Sequence, residues 1–579
     1  MCGITALFAY RDDARSIERA EVEAITERMR PRGPDAGATW FSSDGRVGLG
    51  SRRLAIIDLT DEGTQPLQDV DGELTIVFNG EIYNHRELRA RLLGYGARFH
   101  STSDTEVLLQ MYRRYGQAMV ELLRGMFAFA IWDSRTRRLF VARDPYGIKP
   151  LYVADDGRTF RCASTVKALL AGGGVPRTRD AAGAAGFFLL GSVPEPLTVF
   201  SSIRAVEAGT SFFVGAQGRS EPTRYASIAA TFARGAEQQA AARLVEPSIL
   251  MREIATESLR AHLVSDVPVG AFLSAGIDST TLAALADEAG QPPRCVTVYF
   301  EGSSGEANES PLAERFARDR GLPQLTRVVT REEFLADLPR FFDAMDQPTI
   351  DGANTWFVSK AAAEQKLKVA ISGIGGDELF GSYSSFRDIP RFMAVARVPG
   401  AGRSLGAITR HPKAHAIARF ASSIAGSYYL KRGLLLPEEL PAEAAEGLES
   451  LALLERIGSN LDPDPRTVFG RIATLEASLY LRNQLLRDTD WASMAHSLEV
   501  RSPLVDAALL RQIAPLVITE GAASKQHFAR CPRTPLPGYL RHRAKTGFSV
   551  PLARWLELPS DGTSTRARSW ARTVWERYV

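Results

Sequence analysis

Cysteine is scarce in this chain, lysine is outnumbered by arginine, and no stretch of its 579 residues stays apolar long enough to cross a bilayer. The four cysteines, Cys2, Cys162, Cys295 and Cys531, are scattered, with no CxxC pair and no Cys/His cluster. That argues against a disulfide framework or structural zinc and for a reducing, cytoplasmic setting. The opening MCGITALFAYRDD has no basic residue ahead of its apolar stretch, and charge follows at once, so it is not a signal peptide. An excess of one charge is also missing. A formal +3 is small for this length and lacks the electrostatic signature of a nucleic-acid binder.

What remains is 45% apolar and 24% charged, a globular composition on a chain too long for one core. The first roughly 200 residues carry short apolar runs closed by turn residues: VGLGSRRLAIID, ELTIVFNGEIYN, GMFAFAIWD and RLFVARD. One helix is plain among them, DTEVLLQMYRRYG, with Asp104 as the expected N-cap and Gly116 as the stop. Packed sheets with helices outside are predicted, not a βαβ repeat. Residues 206–245 read as the end of that sheet and a linker, separating a domain over 1–205 from one over 246–579. Past the linker, VGAFL, RCVTVYF and LKVAIS alternate with the helical patterns TTLAALADEAG and PLAERFARDRG, which predicts a helix-covered parallel sheet. Residues 385–520 read as mostly helical.

Two constellations carry chemistry. If Met1 is removed, Cys2 gains a free α-amine with a pKa of roughly 8, able to serve as base for its own thiol. Asn79 and Gly80 offer a side-chain amide and an unhindered backbone N–H side by side, the donors an oxyanion needs. As an isolated Asn-Gly pair they would equally suit a hairpin turn. Arg53, Glu81 and Asp104 would suit the zwitterionic head of an amino acid, the arginine for its carboxylate and the acids for its ammonium. Further on, VPVGAFLSAGIDSTTLAAL places a strand, a Ser/Gly loop and a helix in series. Such a loop turns backbone N–H groups and a helix N-terminus toward an anion, and Asp278 inside it could hold Mg²⁺. LKVAISGIGGDELFGSY repeats the device with Asp377 and Glu378.

MCGI, RGPD, RRLAIID, QPL, FNGEIYNH, SDTEV, GMFAFAIWD and RDPYGIKPLY stand in the order found in class II glutamine amidotransferases, which this half resembles. SAGIDS resembles the pyrophosphate loop of the N-type ATP pyrophosphatases. SDVPVG, SGIGGDELFG, SLEVRSPLVD and RHRAKTGFSVPL narrow the likeness to the asparagine synthetase branch. The resemblance implies a multidomain α/β protein: an N-terminal Ntn-hydrolase αββα sandwich, then a parallel-sheet α/β nucleotide-binding domain with added helices. It implies glutamine hydrolysis at Cys2, and passage of ammonia inside the protein to a carboxylate activated by ATP as its acyl-adenylate, with AMP, pyrophosphate and glutamate released. By position, Arg53, Ile56, Ile57, Asn79, Gly80, Glu81 and Asp104 would surround glutamine. Ser274, Gly276, Asp278 and Ser279 would hold pyrophosphate and Mg²⁺, with Asp377 the second metal ligand and Glu378 beside it. Leu273, Val298, Ser372 and Gly373 would line the adenosine pocket, and Lys545 would neutralise charge on the α-phosphate. Lys149 matches a motif position and is expected to be structural. Small-molecule substrates, no nucleic acid and no membrane follow, and a homodimer is compatible.

Two positions depart from the pattern. Ala275 replaces the second glycine of the pyrophosphate loop, which a methyl tolerates only at negative φ. Ile374 stands where the best-known asparagine synthetases carry an acid, and isoleucine can neither take a proton nor bind an ammonium. Aspartate therefore leads as acceptor, with a carboxylic acid of a natural-product or capsule pathway, or a glutamine analogue as nitrogen donor, as the alternative. A tRNA-modifying relative would want a basic face and a cysteine pair, a sugar-phosphate amidotransferase would not need the second half, and a catalytically dead scaffold would not need these side chains.

Overall fold

A computed structural model describes residues 2–239, 246–302, 308–398, 412–519, 523–543, 550–557 and 565–578. Its N-terminal part is two antiparallel sheets laid face to face. The first runs in the order Arg204–Ala205, Tyr152–Asp155, Thr159–Ala163, Cys2–Ala9, Val47–Arg53, Ala36–Phe41. The second runs Gly218–Arg219, Thr210–Gly215, Arg138–Arg143, Gly125–Asp133, Leu74–Ile82, Leu67–Gln68. Their inner faces interlock through Ile4, Ala6, Phe8 and Leu49 on one side and Val77, Ala130, Trp132 and Val141 on the other. The outer faces are covered as well. Helices Arg19–Arg28 and Val166–Ala171 lie on the first sheet, and His85–Gly94 and Asp104–Tyr115 on the second. Burial on both faces explains why CGITALFA and LTIVFNGEI do not alternate with polar residues.

The helix Asp104–Tyr115 begins one residue differently from expectation. Ser103 is the N-cap, its hydroxyl accepting from the Thr105 N–H, which leaves the Asp104 carboxylate free to bond elsewhere. Gly116 closes the helix at φ 54°, as expected. The second sheet continues through Thr210–Gly215, with Thr223–Arg224 paired to it, and a helix, Ile228–Glu237, follows.

Beyond residue 246 lies a wholly parallel sheet in the order Gln324–Val329, Arg294–Phe300, Val269–Phe272, Val369–Ile371, Glu499–Arg501. The three central strands match VGAFL, RCVTVYF and LKVAIS. The two edges were not foreseen: Gln324–Val329 is half-exposed, and Glu499–Arg501 has three residues, two of them charged. Neither presents an apolar period. The SAGIDS and SGIGGDE loops leave the sheet at its carboxyl ends, where a parallel sheet binds ligands.

RDPYGIKP forms a turn around one carboxylate. Fully buried Asp144 accepts N–H groups from Phe127, Tyr146, Ile148 and Lys149. Asp144→Ala would orphan these donors, and the expected loss is about 3 kcal/mol or more. It should appear in thermal denaturation as an earlier transition of the N-terminal part, while Asp144→Asn keeps part of the difference.

Candidate active sites in the two domains

Cys2 begins the central strand of the first sheet, with Arg53 its register partner on the neighbouring strand. The Cys2 N–H donates to Asn79 Oδ1 at 3.1 Å, reaching across from the second sheet. Asn79 is fully buried, and its Nδ2 has no hydrogen-bond partner, a costly arrangement in a sheet interior unless something else accepts from it. The amide is thus pinned by its oxygen with its donor end spare, beside the residue that would attack. Gly80 follows at φ 154°, and a Cβ there would stand 2.1 Å from the Met126 carbonyl, so only glycine fits. Burial pushes the Cys2 thiol up, against the Leu54 N–H and the Arg53 guanidinium, which pull it down.

Arg53 does more than face a substrate. Its guanidinium donates to the carbonyls of Ile57, Asp58 and Thr60 and so builds the loop that follows its strand. Asp58 holds the same loop at φ 55°. Burial would raise the Asp58 carboxyl, but hydrogen bonds from Thr60 and Thr102 hold it below the usual range. Ile56 presents its carbonyl outward, to the N–H of Asp266 in the second domain, and Asp266 in turn accepts from the Asp58 N–H. Leu54 and Ile56 pack with Val369 and Met494 of that domain. Asp104 accepts from the Ile82 N–H at 2.9 Å, one residue past Glu81. The residues expected around an amino acid are therefore brought to one end of the sandwich, and that end is docked on the second domain.

Arg32, from RGPD, was quoted but given no role by sequence reasoning. Its Nε donates to the Cys2 carbonyl at 3.3 Å, and Nη1 and Nη2 donate to both oxygens of Asp490 at 2.6 and 3.0 Å. Both partners are buried. Lys149 is 1% exposed, with Nζ 4.0 Å from Asp490. Its ammonium faces the domain boundary while its backbone belongs to the Asp144 turn.

In the second domain, SAGIDS and SGIGGDE meet. A Cβ on Gly376 would come within 2.5 Å of Asp278 Cγ, and one on Gly373 would meet Asp278 Cβ at 3.0 Å, so glycine allows the contact. Ser274 and Ser279 share a hydroxyl hydrogen bond at 2.9 Å, and the Gly276 N–H donates to Ser274 Oγ. Ala275 is absent from the residues at positive φ, as its side chain requires. Its methyl is buried with Ala283, Ala284 and Phe316, pointing into the core. Leu273 and Val298 lie on adjoining strand ends, but their side chains enter different apolar clusters. Ser372 bonds through its N–H to the Arg501 carbonyl. Glu378 is buried, accepts from the Tyr383 hydroxyl at 2.9 Å, and is pushed up to about 7 by that burial.

Asp278 and Asp377 converge on one cation, which sequence reasoning missed. Lys525 Nζ lies 2.7 Å from Asp278 Oδ2 and bonds Asp377 Oδ1. These acids hold the Lys525 ammonium above its usual range although burial opposes it. Two facing carboxylates are a fitting donor set for Mg²⁺, a hard cation that takes one or two carboxylates and completes its shell with phosphate and water. Among the described residues there is no group of three or more His, Cys, Asp or Glu able to hold a metal unaided. Glu309 accepts from the Ala275 N–H at 3.2 Å and pairs with Arg543 at 2.8 Å, so a carboxylate already rests on this loop's donors. Lys545 lies outside the described residues.

Comparison with known proteins follows the same division. Residues 1–226 match the family model of the glutamine amidotransferase domain, and residues 250–569 that of asparagine synthase. Asparagine synthetase [glutamine-hydrolyzing] 1 of Bacillus subtilis is 31% identical, over 96% of this chain and 88% of its own. A Mycobacterium bovis relative assigned the same activity is 34% identical over the same shares. An amidase of Gibberella zeae, chry2, is 32% identical over 67% of this chain and 60% of its own.

Because burial raises the Cys2 thiol and only the thiolate is nucleophilic, its alkylation by iodoacetamide should be slow at neutral pH. The rate, followed by peptide mass mapping, should still be climbing at about pH 9. A plateau below pH 8 would contradict this reading of the site.

Proposed function

The chain belongs to the glutamine-hydrolysing asparagine synthetase family, and from that premise we propose how its own residues perform a glutamine- and ATP-dependent amide synthesis and which acceptor it takes. Family membership makes it a glutamine-dependent amidotransferase carrying an asparagine synthase domain, and that family uses ATP. The observation that carries the mechanism is the Asn79 amide, buried with its Nδ2 spare and its oxygen fastened to Cys2.

In this reading, loss of Met1 turns the Cys2 nitrogen held by Asn79 into the α-amine that takes the thiol proton. The thiolate attacks the side-chain carboxamide of glutamine, and Asn79 Nδ2 with the Gly80 N–H stabilises the oxyanion. The proton returns to the departing ammonia, and water then releases glutamate from Cys2. Arg53 and the Ile56–Ile57 backbone frame the substrate's carboxylate end, and Glu81 and Asp104 its ammonium. At the second site, Ser274, Gly276 and Ser279 receive the pyrophosphate end of ATP, while Ser372 and Gly373, with Leu273 and Val298, border the adenosine. Asp278 and Asp377 would hold Mg²⁺, which supplies charge compensation for the phosphates. Lys525, held between these carboxylates, would add positive charge beside the phosphates, and Lys545 would assist at the α-phosphate. Ammonia reaches the acyl-adenylate across the docked face between Leu54, Ile56 and Met494, without leaving the protein.

Aspartate is the proposed acceptor and asparagine the product. Ile374 keeps a second reading alive, because its half-buried side chain packs against the apolar cluster around Leu379 and Phe380 and brings no charge to the acceptor. A carboxylic acid other than aspartate is that alternative, and the amidase from Gibberella zeae shows that the name asparagine synthetase does not cover every relative.

The test is pyrophosphate release with ATP, Mg²⁺ and glutamine, with aspartate added or withheld. Aspartate-dependent pyrophosphate with equimolar asparagine is expected, and glutamate release without it would transfer the reaction to another acid. Cys2→Ala should lose glutamate release by about 10³-fold or more while ammonium salts still support pyrophosphate release. Lys525→Met should lower pyrophosphate release by about 10²-fold with either nitrogen source and leave glutamate release within about twofold.

A further inference from the structure

Glu81, next to last in the strand Leu74–Ile82, is 4% exposed at the domain boundary, with Oε1 3.5 Å from Arg501 Nη2 and Oε2 without a hydrogen-bond partner. Arg501 belongs to the other domain and is fully buried. Its Nε donates to Glu499 at 2.5 Å, and its Nη1 to the carbonyls of His262 and Val264 at 2.8 and 2.6 Å. Nη2 makes no hydrogen bond, although it is the nitrogen nearest Glu81. The guanidinium is therefore committed to Glu499 and only leans toward Glu81.

Asp104 lies close enough to add its charge. Of the other groups facing Arg501, Tyr83 has its ring centre 6.0 Å away and a hydroxyl with no partner. His262, its ring tilted against Tyr83 at 4.2 Å, is pushed down to about 4 by burial. Three buried carboxylates thus gather near one guanidinium, with Lys149 acting on Glu499 and His85 on Asp104. Burial, and then Glu499, drive the Glu81 carboxyl well above its ordinary range. A buried carboxylate short of a counter-ion is costly, and a ligand that brings a cation relieves it.

We propose that Arg501, divided between Glu499 and Glu81, is a positioning residue of the glutamine site, aiming the Glu81 carboxyl while leaving it without a hydrogen-bonded counter-ion, so that the substrate's α-ammonium completes the pair. Glutamine recognition is then completed by two synthase-domain residues that never touch it. This rests on the amidotransferase reading above. Removing Arg501 loses the aim, and neutralising Glu499 releases the whole guanidinium to Glu81, so both changes weaken ammonium binding.

The experiment is steady-state glutamate release by the full chain, with thermal stability measured for each variant. Arg501→Met should raise KM for glutamine about tenfold or more with kcat held within about threefold, and Arg501→Lys should recover part of the difference. Glu499→Gln should raise KM about fivefold without a fall in kcat, which a merely structural role for Arg501 would not produce. Should Arg501→Met fail to fold, Glu499→Gln and Arg501→Lys carry the test. An unchanged KM in those two folded variants overturns the proposal. A wild-type chain that releases no glutamate from glutamine overturns the amidotransferase reading itself, and the wild-type control keeps the two failures apart.

Discussion

Arg32 holds Asp490 at both oxygens across the boundary between the two domains, and the same guanidinium holds the Cys2 carbonyl. Much of the arrangement depends on this pair. Burying two charges gives up several kcal/mol of solvation for each, and their attraction repays that only at good geometry. Such a pair is a poor source of stability but a strict judge of register. A domain docked a few ångströms away would leave Arg32, Asp490 and Lys149 buried and unmatched. The strand Cys2–Ala9 and the helix Arg487–Met494 are thereby placed by one interaction.

Two further contacts join residues of the candidate sites to the other domain. Arg53 closes the loop whose Ile56 carbonyl and Asp58 N–H both meet Asp266, three residues ahead of the strand that leads into SAGIDS. Arg501 leans on Glu81 with its side chain and takes the Ser372 N–H with its carbonyl, at the start of SGIGGDE. The two glycine-rich loops then touch through Asp278.

Short motifs made most of this legible. Chemistry that needs adjacent residues leaves adjacent letters: Asn79 with Gly80, the SAGIDS loop, Asp377 after two glycines. The central strands were readable because they are apolar runs bounded by turns. What escaped was whatever depends on contact between distant segments. Glu499–Arg501 is too short and too charged to read as a strand, though it supplies the guanidinium beside Glu81. Ser103 displaced Asp104 as N-cap because two capping residues stand side by side, and the sequence alone does not say which carboxylate another N–H will claim. Lys525 escaped because SKQHFAR belongs to none of the motifs, although lysine is scarce in this chain.

Ala275 and Ile374 show why one departure from a motif matters less than the other. The Ala275 methyl turns into a cluster of apolar side chains, while its N–H stays on the loop side and donates to Glu309. Ile374 sits on the loop between Ser372 and Asp377, half-buried against the helical layer that carries Phe469 and Leu485. Its change is in what the loop offers, not in how it folds. Of the two departures, only Ile374 alters the chemistry its loop presents, because it packs an apolar side chain against the layer of Leu379 and Phe380 where a carboxylate would have added charge.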